Sequence, residues 1–189
     1  MDKLPHYPLL VKRTRRDIAV TLNTSIEAGK SHVFDFIAAE GVLPIVLTGY
    51  SPFLPAVVAT SGNTGPWDRP GSSRLVHLKD GNTAVEEVTG YDRPDFFSYK
   101  SSRFTFALKY LATGATGEWW FETDGSATKV RWTYTFKAKN LLASMILPIF
   151  ARFLWSGYMR VCFFNTEKHF ANQDTSGTTT AEAVRYTKA

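Results

Sequence analysis

Cysteine is almost missing from this sequence. Its 189 residues hold one, Cys162, so no disulfide can form within the chain and a reducing, cytoplasmic setting is the expectation. Metal-ligating pairs are missing too: His6, His32, His77 and His169 are scattered, which removes the sequence basis for a zinc or haem centre, and no cofactor is implied. No phosphate-cradling loop is present, because Gly62 and Gly65 run into Pro66 rather than a helix. The N-terminal residues, with Asp2, Pro5, His6 and Pro8, contain no apolar run of the secretion type. The most apolar stretch, from Leu141 to Phe164, is cut by Pro148, Arg152 and Arg160, so no clean window of about twenty apolar residues survives and a buried amphipathic helix is expected in place of a membrane span. Internal repeats are absent.

Charge is modest and local. The formal net charge is +5, and much of the excess sits in Lys12, Arg13, Arg15 and Arg16. No basic stripe interleaved with aromatics follows, which argues against a nucleic-acid partner. Residues 1–16 read as a solvated basic arm, able at most to touch acidic lipid headgroups.

What the chain has in quantity is rings: 14 Phe, 8 Tyr and 5 Trp, more than a core of this size obviously needs, and rings are what line ligand pockets. Alternation from Ile18 to Ile26 predicts a first strand over 17–27, and helical spacing follows at Lys30 to Ala39. A second short helical piece runs from Gly41 and Pro44 toward Thr48. Strands are expected at 56–61, 73–78, 83–91, 96–101, 115–123 and 128–137, the pair around Asp80-Gly81 being the clearest hairpin. In the last strand Val130, Trp132, Tyr134 and Phe136 share the dry face. A long helix then runs from Asn140 to about Asn172, kinked at Pro148. The Ser, Thr and Gly residues beyond are too polar to pack, so 173–189 reads as a polar tail and 17–172 as one domain.

This order describes an α+β domain with six to seven antiparallel strands, two short helices and a long C-terminal helix on the concave side, leaving a cavity. Several stretches carry a likeness: Ile26-Glu27-Ala28 with Val33 to Ile37; Gly71, Arg74, Leu78, Asp80-Gly81, Glu86, Val88, Thr89, Tyr91, Asp92, Pro94 and Tyr99; Ala127 to Trp132; and Trp155-x-x-Tyr158-Met159. In these the chain resembles the helix-grip (SRPBCC) superfamily of START lipid-transfer domains, Bet v 1-like proteins and, closest, polyketide cyclase/dehydrases. The likeness implies a fold that encloses hydrophobic small molecules and leaves activity open, since carriers and enzymes share it.

Candidate residues follow from the hairpin and the rings. Arg74 can face Glu87 across a two-residue turn or Glu86 across a three-residue loop, because one step flips the strand. An inward Arg and Glu would orient a ligand carbonyl or act on it, or else form a plain salt bridge. His77 alternates toward solvent. Trp67, in a loop rich in Gly and Pro, either covers the core or sits at a cavity mouth. With it, Val76, Tyr91, Tyr99, Phe104, Tyr110, Trp119, Trp132, Tyr134, Phe136, Phe150 and Tyr158 are the expected ligand contacts. Two functions fit: a carrier of a lipid, polyketide or aromatic metabolite, which needs only apolar area, and a polyketide cyclase or dehydratase using Arg74, a hairpin Glu and a Tyr, which the likeness implies. A membrane-surface adaptor using Lys12 to Arg16 beside Leu141 to Phe153 is a third.

Overall fold

Period-two alternation of apolar and polar residues builds one sheet, and the change to helical spacing at three places builds what covers it. The structure, a computed structural model, describes residues 9–13 and 16–186, with side chains described over 16–173. The strands are β1 (Leu9–Arg13), β2 (Asp17–Ile26), β3 (Val57–Ser61), β4 (Ser73–Leu78), β5 (Thr83–Asp92), β6 (Phe96–Ser102), β7 (Ala112–Asp124) and β8 (Ala127–Ala138). The helices are α1 (Lys30–Ile37), α2 (Leu43–Val46), α3 (Leu108–Leu111), α4 (Leu141–Phe150) and α5 (Ser156–Tyr186), the last two joined by a π-helical turn, Ala151–Trp155.

All eight strands form one antiparallel sheet in the order β1-β2-β8-β7-β6-β5-β4-β3. Its dry face follows the alternation: Ile18, Val20, Leu22 and Ile26 on β2, and Val130, Trp132, Tyr134 and Phe136 on β8, are all buried. Trp119 pairs with Trp132 across β7 and β8, and their rings stack at 4.3 Å. Against this face lie α1 through Val33, Phe34 and Ile37, and the closing helix through Leu147, Ala151, Trp155, Met159 and Phe163.

Three elements differ from the sequence reading. Leu9–Arg13, expected within a solvated arm, is an edge strand that pairs with β2 from Leu9 opposite Leu22 to Arg13 opposite Ile18. Residues 1–8 and 14–15, Arg15 among them, lie outside the described residues, as do 187–189. The backbone of α5 continues through the Ser/Thr/Gly segment to Tyr186, because an established helix gains one hydrogen bond for each residue added. The aromatic segment 103–110 contains the short helix α3.

The irregularity expected at Pro148 falls just beyond it. Proline cannot donate to the carbonyl four residues back, and three residues later the ladder widens, with the Ser156 amide reaching the Ala151 carbonyl five positions back. By length and composition Leu141–Gln173 is apolar enough to cross a membrane. One face of that helix nonetheless supplies the core just described.

Candidate functional site

The turn chemistry of the β4–β5 hairpin sets the site. Gly81 takes φ 82°, the Asn82 amide bonds Asp80 Oδ1 at 3.0 Å, and the Leu78 amide bonds the Asn82 carbonyl at 2.8 Å. This leaves a three-residue loop with glycine in the left-handed position. That register sets Arg74 opposite Glu86 and Ser73 opposite Glu87, which settles the open alternative. Glu87 faces the other way and pairs with Lys100 at 2.7 Å.

Arg74 and Glu86 are both buried. Arg74 Nε and Nη2 donate to Glu86 Oε2 at 3.1 and 2.8 Å, and Nη1 donates to the Glu40 carbonyl at 2.6 Å. The guanidinium carbon of Arg74 lies over the Trp67 ring, 3.7 Å from its centre, and Trp67 is itself buried. Trp67 therefore covers a desolvated ion pair, with a cation–π contact on the one side that makes no hydrogen bond. His77, half exposed, bonds Ser61 Oγ at 2.7 Å.

Two voids adjoin this pair. The larger, about 60 Å³, is lined by Leu43, Leu47, Leu54, Pro55 and Val57, by Val76, Leu78, Ala84 and Glu86 of the hairpin, by Ser101, Phe104 and Phe106, and by Tyr134, Trp155 and Tyr158. The smaller, about 20 Å³, is lined by Ile37, Val42, Leu43, Val46, Leu47, Trp67, Arg74, Phe97, Tyr99, Trp119, Trp132, Cys162 and Thr166. Leu43 and Leu47 border both, so the one-turn helix α2 stands where they meet. Sites that hold drug-sized ligands run to roughly 300–1,000 Å³. The cavity expected from the sequence is present as these two small voids, walled in part by aromatic rings.

Of the ligand contacts expected from sequence, Val76, Phe104, Tyr134 and Tyr158 line the larger void and Trp67, Tyr99, Trp119 and Trp132 the smaller. Phe136 and Phe150 pack against Trp155 at 5.2 and 6.4 Å, behind the wall. Tyr91 meets Phe34 and Phe97 edge-on and lines neither void. Tyr110 points away, 67% exposed. Sequence reasoning missed Leu43, Leu47, Ser101, Phe106 and Trp155. The spacing of Leu43 and Leu47 by four, one helical turn apart, was the available signal for the first two.

The electrostatics of the wall are those of a dry place. Burial pushes the hydroxyls of Tyr99, Tyr134 and Tyr158 up, and the Cys162 thiol up to about 12, because each loses water that would solvate its anion. The Tyr158 hydroxyl donates to the Pro55 carbonyl at 3.0 Å. The Trp155 and Trp132 indole nitrogens are buried and have no hydrogen-bond partner among the described residues. Those residues also hold no group of three or more His, Cys, Asp or Glu placed for a metal ion.

A sequence model of the family described as "Polyketide cyclase / dehydrase and lipid transport" matches residues 17–164. The chain belongs to this family. No curated protein matches the sequence. Solved structures do: a Mycobacterium smegmatis protein at 16% identity and TM-score 0.58, covering 88% of this chain and 99% of its own. Ginseng major latex-like protein 151 from Panax ginseng matches at 15% and 0.61, covering 82% and 97%. A Thalictrum flavum norcoclaurine synthase point mutant matches at 11% and 0.61, covering 88% and 98%. At such identities the likeness establishes the Bet v 1-like helix-grip fold and nothing of its function.

Proposed function

We propose that this polyketide cyclase/dehydrase-family chain binds one small apolar molecule carrying a hydrogen-bond acceptor, and that the voids on either side of α2 merge to admit it. The Trp155 indole carries this reading. Trp155 lines the larger void, and its N–H is buried without a partner. An unmet buried donor costs about 1–3 kcal/mol, which a guest carbonyl or hydroxyl oxygen would recover. Trp132 stands in the same position beside the smaller void.

Merging the voids asks little of the fold. The partition is four residues of helix, followed by Gly49 at φ 96°. Side-chain bonds from the closing helix hold this strap: Asn165 Nδ2 to the Val46 carbonyl and Tyr158 to the Pro55 carbonyl, each 3.0 Å. Such bonds contribute about 1 kcal/mol each, so local opening is cheap beside global unfolding.

Carriage fits the wall better than catalysis. A cyclase or dehydratase needs an available base, but the Glu86 carboxylate is held in an ion pair by two of the three Arg74 bonds, and burial keeps the three tyrosines protonated through neutral pH. The group left to orient a guest by donating to it is the unpartnered Trp155 N–H. The lipid-transport wording of the family description supports the same reading.

Native mass spectrometry of the purified chain tests it. The expected result is a copurifying apolar compound of one-to-one stoichiometry, lost from Ala84→Phe, which fills the larger void. Adduct-free spectra for both proteins, with no apolar compound retained on addition, would refute it.

A further inference from the structure

Helix α4 is apolar on every side, yet only one side is covered. Ala143, Ser144 and Leu147 are buried against the fold, while Leu141, Leu142, Met145, Ile146, Ile149 and Phe153 are 44–67% exposed. At 100° per residue these six fall on one continuous stripe, opposite the buried one. A water-facing helix of this length should show a polar face there. Monomeric soluble proteins rarely leave so many large side chains in one exposed patch.

The charges around the stripe point to what covers it. No Asp or Glu occurs from 125 to 166 or from 96 to 117. Within those stretches Lys139 precedes the helix, Arg152 lies over the Phe153 ring at 5.9 Å, and Lys109 sits on α3, which packs against α4. Lys139 Nζ reaches the Lys109 carbonyl at 3.3 Å, so these two cations flank one end of the stripe. Beside them Tyr110 is exposed, an amphipathic ring of the kind found at headgroup level. The nearest acid along the ladder, Asp17, is opposite Lys137.

We infer that the outer face of α4 docks on an anionic lipid bilayer, lying in the interface with its stripe among the acyl chains and Lys109, Lys139 and Arg152 at the phosphates. The helix lies on the membrane and does not cross it, since its inner face remains the floor of the core. A second copy of the chain would cover the stripe less well, because a two-fold contact sets the same cations against each other. Docking also brings the cavity to the lipid: Phe104 and Phe106 line the larger void, and Tyr110 follows four residues later. The inference stands apart from the ligand proposal, as an empty protein would dock equally.

Flotation of the full chain with phosphatidylcholine vesicles, with and without phosphatidylserine, tests it. The wild type is expected to float with the mixed vesicles, with affinity falling as salt is raised. Ile149→Glu and Met145→Glu, both on exposed positions, are expected to weaken this at least tenfold while leaving the thermal midpoint unchanged. Lys139→Glu with Arg152→Glu should remove the phosphatidylserine preference. No flotation by the wild type, or unchanged flotation by Ile149→Glu, would overturn the inference. So would a concentration-dependent dimer that Ile149→Glu dissociates, which would assign the stripe to a second copy.

Discussion

Arg74 and Glu86 were candidates for chemistry in the sequence, and in the structure they are a desolvated pair under Trp67. Removing one partner of a buried pair strands the other charge, at a cost of about 3–5 kcal/mol. Arg74→Met and Glu86→Leu should each lower the unfolding free energy by about that much in urea titrations, and the double variant should recover most of it. Near-zero single effects would show that water reaches the pair. Cys162 offers a second probe. With its thiol held up at about 12 by burial, alkylation by iodoacetamide at pH 8 should be far slower than for a free thiol, and slower still when an apolar guest occupies the smaller void. Rapid labelling would mean that this wall is open. The identities of Trp155 and Trp132 were readable in advance, but not that their N–H groups lack partners, because that depends on what lies across a gap from another element.

At the scale of elements, the strands and their faces were plain because period-two alternation reports burial directly. β8 is the clearest example. What escaped was set by packing between segments: β1 pairs through backbone bonds that basic side chains do not advertise, and α3, four residues long, is too short for any periodicity to mark it. The N-terminus of α4 depends on Asn140, whose Oδ1 accepts from the Ala143 amide at 2.8 Å. Asn140→Ala should cost about 1 kcal/mol, read as a lowered urea midpoint at unchanged slope, and no change would show that the cap does not stabilise the helix. On the strap, Tyr158→Phe deletes the bond to Pro55. It should speed guest exchange several-fold in stopped-flow measurements while leaving global stability lower by no more than about 1 kcal/mol.

For the whole molecule, the buried tyrosines and the thiol set an alkaline limit. Their folded-state pKa values lie above those of the unfolded chain, so their stabilising effect is complete below pH 9 and is lost as pH rises toward the folded values. Thermal midpoints should be flat from neutrality to about pH 9 and then fall, the steepest part lying above pH 10 where Tyr99, Tyr134 and Tyr158 would ionise in the unfolded chain. A flat profile to pH 11 would show that these groups are wet. The family was legible from the hairpin and closing-helix motifs, while the size of the interior was not, since ring content alone does not say whether rings enclose space or fill it. On the proposed function, the interior opens around α2 to take a guest. The most direct measurement is equilibrium titration with N-phenylnaphthylamine, a neutral apolar fluorophore, on the wild type, Ala84→Phe and Ile149→Glu. One saturable site present in the wild type and Ile149→Glu but lost in Ala84→Phe is the result expected. Equal binding by Ala84→Phe, or no saturable binding by the wild type, would contradict it.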